Sequence, residues 1–281
     1  MKPRLLVTLI LFSILAWGIL PLEAAPPVTL TPAYCGQILY GPTRYQLTAD
    51  LACPRGANVT LNSATLDMNG HSIMCNSFGP CVKLTGQGSR LMHGAISPFQ
   101  ADGMELVGAG GHQVLDVTIG NTDGTMWVLS PNNTITNVRM VSYVNPAIWV
   151  GTDGNRIIQS TAQCIFLLSA GCIDILGDFN AVTGNEVSVG GEQSHLSIKA
   201  SIHVAGDQNF VAHNHAESEQ AIGLRVSGLG NVLVGNRLHG QPLDATDMHG
   251  DCGHNVWAGN QGDQADPACV LHPAVPAVAR Q

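Results

Sequence analysis

An acid, an imidazole and a guanidinium occupy matching places in three successive repeats in the second half of the chain. They are Asp174, His203 and Arg225, and each has an apolar residue on both sides. Together such groups could move a proton and neutralise the carboxylate of a uronic acid. A polysaccharide lyase needs that combination, because it removes a carbon-bound proton beside a carboxylate. The alternative is a solvated row of mixed charges, which is a normal strand surface.

Two of the 4 tryptophans stand at the same place in the two preceding repeats. Trp127 and Trp149 would offer flat apolar surfaces on which a sugar ring can stack. A loop could instead cover them, or they could be there because tryptophan suits strands. We predict that Glu105, Lys83 and His249, at equivalent places, also contact the substrate. Glycoside hydrolysis is disfavoured, because it needs two carboxylates on either side of one sugar bond. In the row, Asp174 has no second acid near it, since Glu105 is three repeats away.

These residues are the central members of nine apolar–polar–apolar triplets that recur every 22–29 residues. The central residues, which we call the central row, are Thr60, Lys83, Glu105, Trp127, Trp149, Asp174, His203, Arg225 and His249. Alternation in a strand turns the central residue outward and its neighbours into a core. One coil per repeat would bring the row into line at about 4.8 Å per step. We therefore predict an all-β fold, a single-stranded right-handed parallel β-helix of about nine coils.

A second periodic feature is a set of asparagines in step with the triplets. One group is Asn132, Asn155, Asn180, Asn209, Asn231 and Asn255, and the other is Asn137, Asn185, Asn214, Asn236 and Asn260, with Ser160 taking one place. Asparagine suits tight turns, and stacked copies can hydrogen-bond along a stack. A leucine-rich repeat lacks this spacing, and a β-sandwich would not keep one register over nine repeats.

The start of the chain has the composition of a secretory signal peptide. A basic start at residues 1–4 precedes an apolar run at residues 5–20 and small residues suited to cleavage. We predict a signal peptide at 1–25, an N-terminal cap at 26–55, the β-helix at 56–269 and a flexible tail at 270–281. The mature protein would be secreted or periplasmic, with no membrane span after cleavage.

Export would make the 8 cysteines available for disulfides. Sequence cannot fix the connectivity, but local pairing is the simplest hypothesis. It pairs Cys35 with Cys53, Cys75 with Cys81, Cys164 with Cys172 and Cys252 with Cys269. A zinc site is the weaker alternative, because the sequence has no CxxC motif and no histidine spacing typical of zinc ligands.

Composition limits the partners. A formal net charge of −8 with only 12 Lys plus Arg disfavours nucleic acid. We expect a polysaccharide or other glycan as partner, a monomeric protein and no metal or other cofactor. Calcium at Asp153, Asp178 and Asp207 is a weaker hypothesis, because such residues more often bond a turn. A polar cluster at residues 213–219 is interpreted as a surface strand rather than a metal or acid–base site.

The first full coil and the chain's last turn carry a resemblance. Residues 66–73 read LDMNGHSI, and residues 251–260 read DCGHNVWAGN. These stretches resemble secreted right-handed parallel β-helix repeat proteins, which include pectate-lyase-like enzymes and periplasmic copper-associated, NosD-like proteins. The resemblance covers about residues 35–270 and implies the fold, but it brings no enzyme's catalytic signature. A lyase acting along the row and a non-catalytic glycan-binding or structural envelope module therefore both stay open.

Overall fold

The computed structural model describes residues 25–76, 79–98, 102–122, 124–167, 169–190, 199–240 and 242–271. All but the last residue of the predicted signal peptide lies outside these ranges, as does the predicted tail after residue 271. No helix in the described ranges is long and apolar enough to cross a membrane.

The chain forms a right-handed parallel β-solenoid of about 10 turns with almost no helix, which confirms the predicted fold class. Each turn gives one strand to an 11-stranded sheet, which we call the row sheet. Its strands are Ile38–Tyr40, Val59–Asn62, Val82–Thr85, Met104–Leu106, Met126–Val128, Ile148–Val150, Gly171–Ile175, Ala200–Val204, Ile222–Val226, Ala245–Asp247 and Ala265–Asp266.

The rest of each turn contributes to a bent 18-stranded sheet, which we call the ladder sheet. Two short 3-10 helices, Pro32–Tyr34 and Ala268–Val270, flank the stack. The strands of the ladder sheet are Val28–Thr29, Arg44–Gln46, Leu51–Ala52, Thr65–Asp67, Ser72–Cys75, Arg90–Pro98, Gln113–Thr122, Thr134–Thr136, Arg139–Ser142, Arg156–Ile158, Thr161–Cys164, Ala181–Thr183, Glu186–Val189, Phe210–Ala212, His215–Ser218, Val232–Val234, Arg237–His239 and Val256–Ala258.

The core is a column of apolar side chains that alternation turns inward. On the row sheet, the residue after each central-row member is fully buried over six successive turns, and these residues are Leu84, Leu106, Val128, Val150, Ile175 and Val204. Each pairs in register with its equivalent in the next turn. Burial of this column is the main stabilising term of such a stack, because each turn contacts only its neighbours.

Asparagine ladders run along both corners of the ladder sheet, as the sequence predicted. The backbone amide of an Asn in one turn donates to the Oδ1 of the Asn one turn later, for example Asn180 to Asn209 at 2.7 Å and Asn185 to Asn214 at 2.9 Å. The prediction that Asn132 and Asn137 belong to the ladders is wrong, because both are exposed residues with positive φ. Asn133 and Val138, one residue later, hold the ladder places, where their amides donate to Asn155 and Ser160.

The ends of the stack differ from the predicted boundaries. Residues 38–52 already pair in parallel with the next turn, so the predicted cap segment contributes a turn of its own. At the other end, Val270 and Leu271 are buried, although the sequence boundary assigned them to the tail.

All four predicted disulfides are present. They join Cys35 to Cys53, Cys75 to Cys81, Cys164 to Cys172 and Cys252 to Cys269, and no described cysteine is free. Such a set suits an extracellular or periplasmic protein, because thiols are kept reduced in the cytosol.

Candidate functional site

The central row is a straight line of paired positions on the row sheet. Strand register aligns Thr60, Lys83, Glu105, Trp127, Trp149, Asp174, His203 and Arg225, one residue per turn. Residues up to 165 positions apart in the chain, from Thr60 to Arg225, thus lie along one edge of the molecule. The predicted alignment is confirmed for these eight residues, while their roles stay predictions.

The prediction that His249 is the ninth member of the central row is wrong. The strand after Arg225 is Ala245–Asp247, and Thr246 pairs with Arg225 in the row. The apolar–polar–apolar pattern missed this strand because its last inward position is an acid, Asp247.

Asp247 is buried because it is fully provided with hydrogen-bond donors. Its carboxylate accepts from Asn255 Nδ2 and Trp257 Nε1, both at 3.0 Å, and from the His249 amide at 3.2 Å. Burial raises the pKa of Asp247, but the hydrogen bonds from Asn255, Trp257 and His249 outweigh it and leave the pKa below its usual value. His249 therefore contacts the Asp247 carboxylate through its amide and through Nδ1, at 3.1 Å, instead of extending the row.

The row is less exposed than the sequence predicted, and two adjacent members near its C-terminal end are buried. Asp174 is 5% exposed and His203 is 8% exposed, whereas Trp127, Trp149 and Arg225 are half-buried. The expectation of an open strand surface is therefore wrong at Asp174 and His203.

Row members interact in neighbouring pairs. Lys83 Nζ lies 2.7 Å from Glu105 Oε2. In the next pair, the ring centroids of Trp127 and Trp149 are 5.2 Å apart, with planes tilted by 58°. Both geometries follow from parallel register, which places side chains of successive turns about 4.8 Å apart at the backbone.

Trp149 lies along its own strand. A Cβ added at Gly151 would come within 2.3 Å of two atoms of the Trp149 indole. The absence of a side chain at Gly151 therefore leaves the space that the Trp149 ring fills.

The third pair extends to a residue that the sequence did not single out. His203 Nδ1 lies 2.8 Å from Asp174 Oδ1, and His203 Nε2 lies 3.3 Å from the Oγ of Ser227. Ser227 is two residues after Arg225, on the same outward side, and is half-buried. The sequence gives little indication of Ser227, because it contacts His203 diagonally, from the next turn, and the triplet pattern only pairs residues that lie directly opposite.

A tight corner holds Ser227 in place. A Cβ added at Gly228 would lie 2.0 Å from the Gly206 carbonyl oxygen, so the backbones of successive turns approach closely there. The Ser227 amide donates to Val204 O at 2.8 Å, and the Gly228 amide makes only a 3.4 Å contact to the same oxygen. The hydroxyl therefore extends from a rigid backbone.

The other candidate clusters form bonds within the fold. Asp153 Oδ1 accepts from the amide of Asp178, and Asp178 Oδ1 accepts from the amide of Asp207, so these acids form a ladder between turns. His215 and Glu217 lie on the outward side of a ladder-sheet strand, as the sequence predicted. Across the described ranges, no group of three or more His, Cys, Asp or Glu side chains is arranged to hold a metal.

Fold and row together define the class, which is a parallel β-helix repeat protein with one chemically varied edge. Comparisons of the chain with protein-family models, with curated proteins and with solved structures find no match.

Proposed function

We propose that this chain is a secreted or periplasmic β-helix protein that engages a polysaccharide along the central row. The observation that carries the proposal is the adjacent pair Trp127 and Trp149, half-buried and in register on successive turns. Aromatic faces of this kind stack on the apolar faces of sugar rings. A straight row of turns suits an extended polymer, because each turn presents one new side chain.

Polar pairs flank the aromatic surface on both sides. Lys83 and Glu105 lie before it, while Asp174, His203 and Arg225 lie after it. A chain of uronic acids would place carboxylates beside Lys83 and Arg225, whose cationic groups can form charge-assisted hydrogen bonds with them. The expected ligand is therefore an acidic polysaccharide, bound by a monomer without a cofactor.

A second candidate function is polysaccharide lyase activity, which one observation favours. The Asp174 carboxylate orients the His203 imidazole at 2.8 Å, and Arg225 is the next row member. An oriented imidazole can take a carbon-bound proton while a cation holds the neighbouring carboxylate. Membership of the pectate-lyase-like or NosD-like groups, which the coil motifs suggest, belongs to this same proposal.

The test of binding is affinity electrophoresis of the purified protein in polygalacturonate, alginate and a neutral glucan. Retention should be strongest in one of the two uronate gels. Trp127→Ala and Trp149→Ala should each weaken retention roughly tenfold, because a stacking surface is lost. Phe210→Ala is the matched control, since Phe210 is an exposed aromatic on the ladder sheet.

Absence of retention in all three gels, or equal retention of the tryptophan variants, would rule out the row as the binding surface. Lyase activity is measured separately, by the absorbance of unsaturated products from the same uronate polymers. Retention without product formation would leave the non-catalytic glycan-binding module.

A further inference from the structure

We propose that Ser227, His203 and Asp174 form a nucleophile, general base and orienting acid that hydrolyse carboxylic esters. The three residues come from three successive turns, and triads are recognised by such geometry rather than by position in the chain. An O-acylated sugar is the expected substrate class, and that part alone rests on the proposed glycan binding.

The hydrogen-bond chain has the direction that a nucleophilic serine requires. Asp174 as a carboxylate accepts from Nδ1–H of His203 at 2.8 Å, so the other ring nitrogen carries the lone pair. That nitrogen, Nε2, lies 3.3 Å from Ser227 Oγ and can accept the hydroxyl proton. A distance slightly above 3.2 Å is common for a triad without substrate.

Along these three side chains, exposure to solvent increases from the acid to the serine, as catalysis by a serine nucleophile needs. The side chains of Asp174 and His203 are 8% and 10% exposed, while Ser227 is half-buried at the outer end. The acid and the base are thus shielded from water, and the hydroxyl remains reachable.

The fold itself does not require a hydroxyl at this corner. Leu176 and Ala205 hold the equivalent place in the two preceding turns, and their amides donate to the previous turn as the Ser227 amide does. Ser227 supplies the same backbone bond and adds a side chain directed at His203. Chemistry explains that choice better than stability does.

The reaction would proceed through an acyl-enzyme. Ser227 Oγ attacks the ester carbonyl carbon while its proton passes to His203 Nε2, and the bond to the alcohol then breaks as the alcohol oxygen takes that proton. Water next attacks the acyl carbon and gives a proton to Nε2. The bond between the acyl carbon and Ser227 Oγ then breaks as Oγ takes that proton, which releases the carboxylic acid and restores Ser227 and the neutral imidazole.

The experiment combines a fluorophosphonate probe, which labels activated serines, with hydrolysis of p-nitrophenyl acetate by the disulfide-intact protein. The wild type should be labelled at Ser227, as located by peptide mapping. Ser227→Ala should abolish labelling and lower kcat/KM by about 100-fold or more. Ser188→Ala, which removes a half-buried serine on the ladder sheet, should change neither.

Asp174 acts through His203, so its variant needs a different readout. Asp174→Asn should lower kcat with KM unchanged and alter the pH profile of kcat, because the imidazole is no longer held in the productive tautomer. Ser227→Ala should fold, because Ala205 already occupies the equivalent corner, and near-native circular dichroism would verify this.

An unlabelled wild type, labelling at another residue, or a Ser227→Ala variant that hydrolyses at the wild-type rate would overturn the proposal. Glycan retention is measured on the same preparations. Retention without labelling would support glycan binding and overturn the triad. Labelling without retention would support the triad and overturn glycan binding.

Discussion

The ladder sheet and the row sheet differ in whether the same residue type recurs at equivalent positions of successive turns. On the ladder sheet, one residue type recurs turn after turn and makes the same bond each time, as Asn180, Asn209 and Asn231 do. On the row sheet, equivalent positions carry a lysine, two carboxylic acids, two indoles, an imidazole and a guanidinium. The backbone pairing is parallel on both sheets, with a register shift between Ile119 and Thr122 on the ladder sheet.

This contrast separates what the fold needs from what the surface does. Identical residues at a repeated buried position satisfy the same backbone groups in every turn, so the ladder explains stability. The positions of the central row differ from turn to turn, so their side chains do little to satisfy buried backbone groups and instead interact in separate pairs. Function is therefore expected on the row, and its variants should spare stability where ladder variants do not.

The largest effect should come from breaking the ladder at Asn214. Its Oδ1 accepts from the amide and from Nδ2 of Asn185, both at 2.9 Å, and its Nδ2 donates to Val182 O. Asn214→Ala removes the acceptor of the buried Asn185 backbone amide and the donor to Val182 O, so the free energy of unfolding should fall by roughly 2–5 kcal/mol in urea denaturation. The Asn185 side chain keeps its bond from Nδ2 to Ile157 O. Asn132→Gly, an exposed asparagine at φ 59, should change it by less than about 0.5 kcal/mol.

Asp247 is the exception that blurs the contrast, because it is an inward residue of the row sheet. Asp247→Ala should lower the free energy of unfolding by roughly 2–4 kcal/mol at pH 7, since Asn255 and Trp257 lose their acceptor. Because the folded pKa of Asp247 is lowered, its stabilising contribution is present above the unfolded pKa and is lost as the pH falls below about 4. Trp257 fluorescence follows the transition, and a difference between wild type and variant that does not shrink in acid would contradict the assignment.

A histidine in the ladder should make stability depend on pH near neutrality. His112 Nδ1 accepts from the Ser89 amide at 3.1 Å and Nε2 donates to Val107 O, so the ring is neutral. Burial lowers the pKa of His112, against a smaller opposing effect of Val107 O. The unfolded chain therefore binds the proton first, and stability should fall as the pH drops below about 6.5.

His112→Asn is the matched variant, because Asn133 fills the equivalent place one turn later. Thermal unfolding between pH 7.5 and 5.5 should show a weaker pH dependence in the variant. Equal slopes in both proteins would mean that another group titrates.

The smallest effect is expected at Lys83 and Glu105 on the row. Their ion pair is partly solvated, so each replacement by Gln should cost at most about 1 kcal/mol of stability. A double-mutant cycle in urea measures the coupling. A cost as large as that of Asn214→Ala would erase the distinction between the two sheets.

The sequence predicted those features that repeat and missed those that interrupt the repeat. Every disulfide joins cysteines 6 to 18 residues apart, within the length of one turn, so local pairing was correct. The row was readable up to Arg225 and failed at His249, because the charge of Asp247 replaced the apolar signal. The shift from Asn132 to Asn133 arose because two adjacent asparagines fit the same spacing.

Burial and diagonal contacts were beyond the pattern for a different reason. Nothing in an apolar–polar–apolar triplet distinguishes an outward residue that solvent reaches from one that is covered, as Asp174 is. The position of Ser227 beside His203 depends on the bend at Gly228 and on register across turns. Both are properties of the stacked backbone rather than of any one repeat.

The one-residue-per-turn row has an evolutionary consequence. Loss or duplication of a whole turn would delete or add one residue of the central row, and the flanking strands could re-pair through unchanged core positions. Removal of the turn that carries Trp149 would thus bring Trp127 next to Asp174 without redesign of the interior. Such a scaffold can reorder its surface chemistry by recombination, a route closed to folds whose site residues come from interlocked elements.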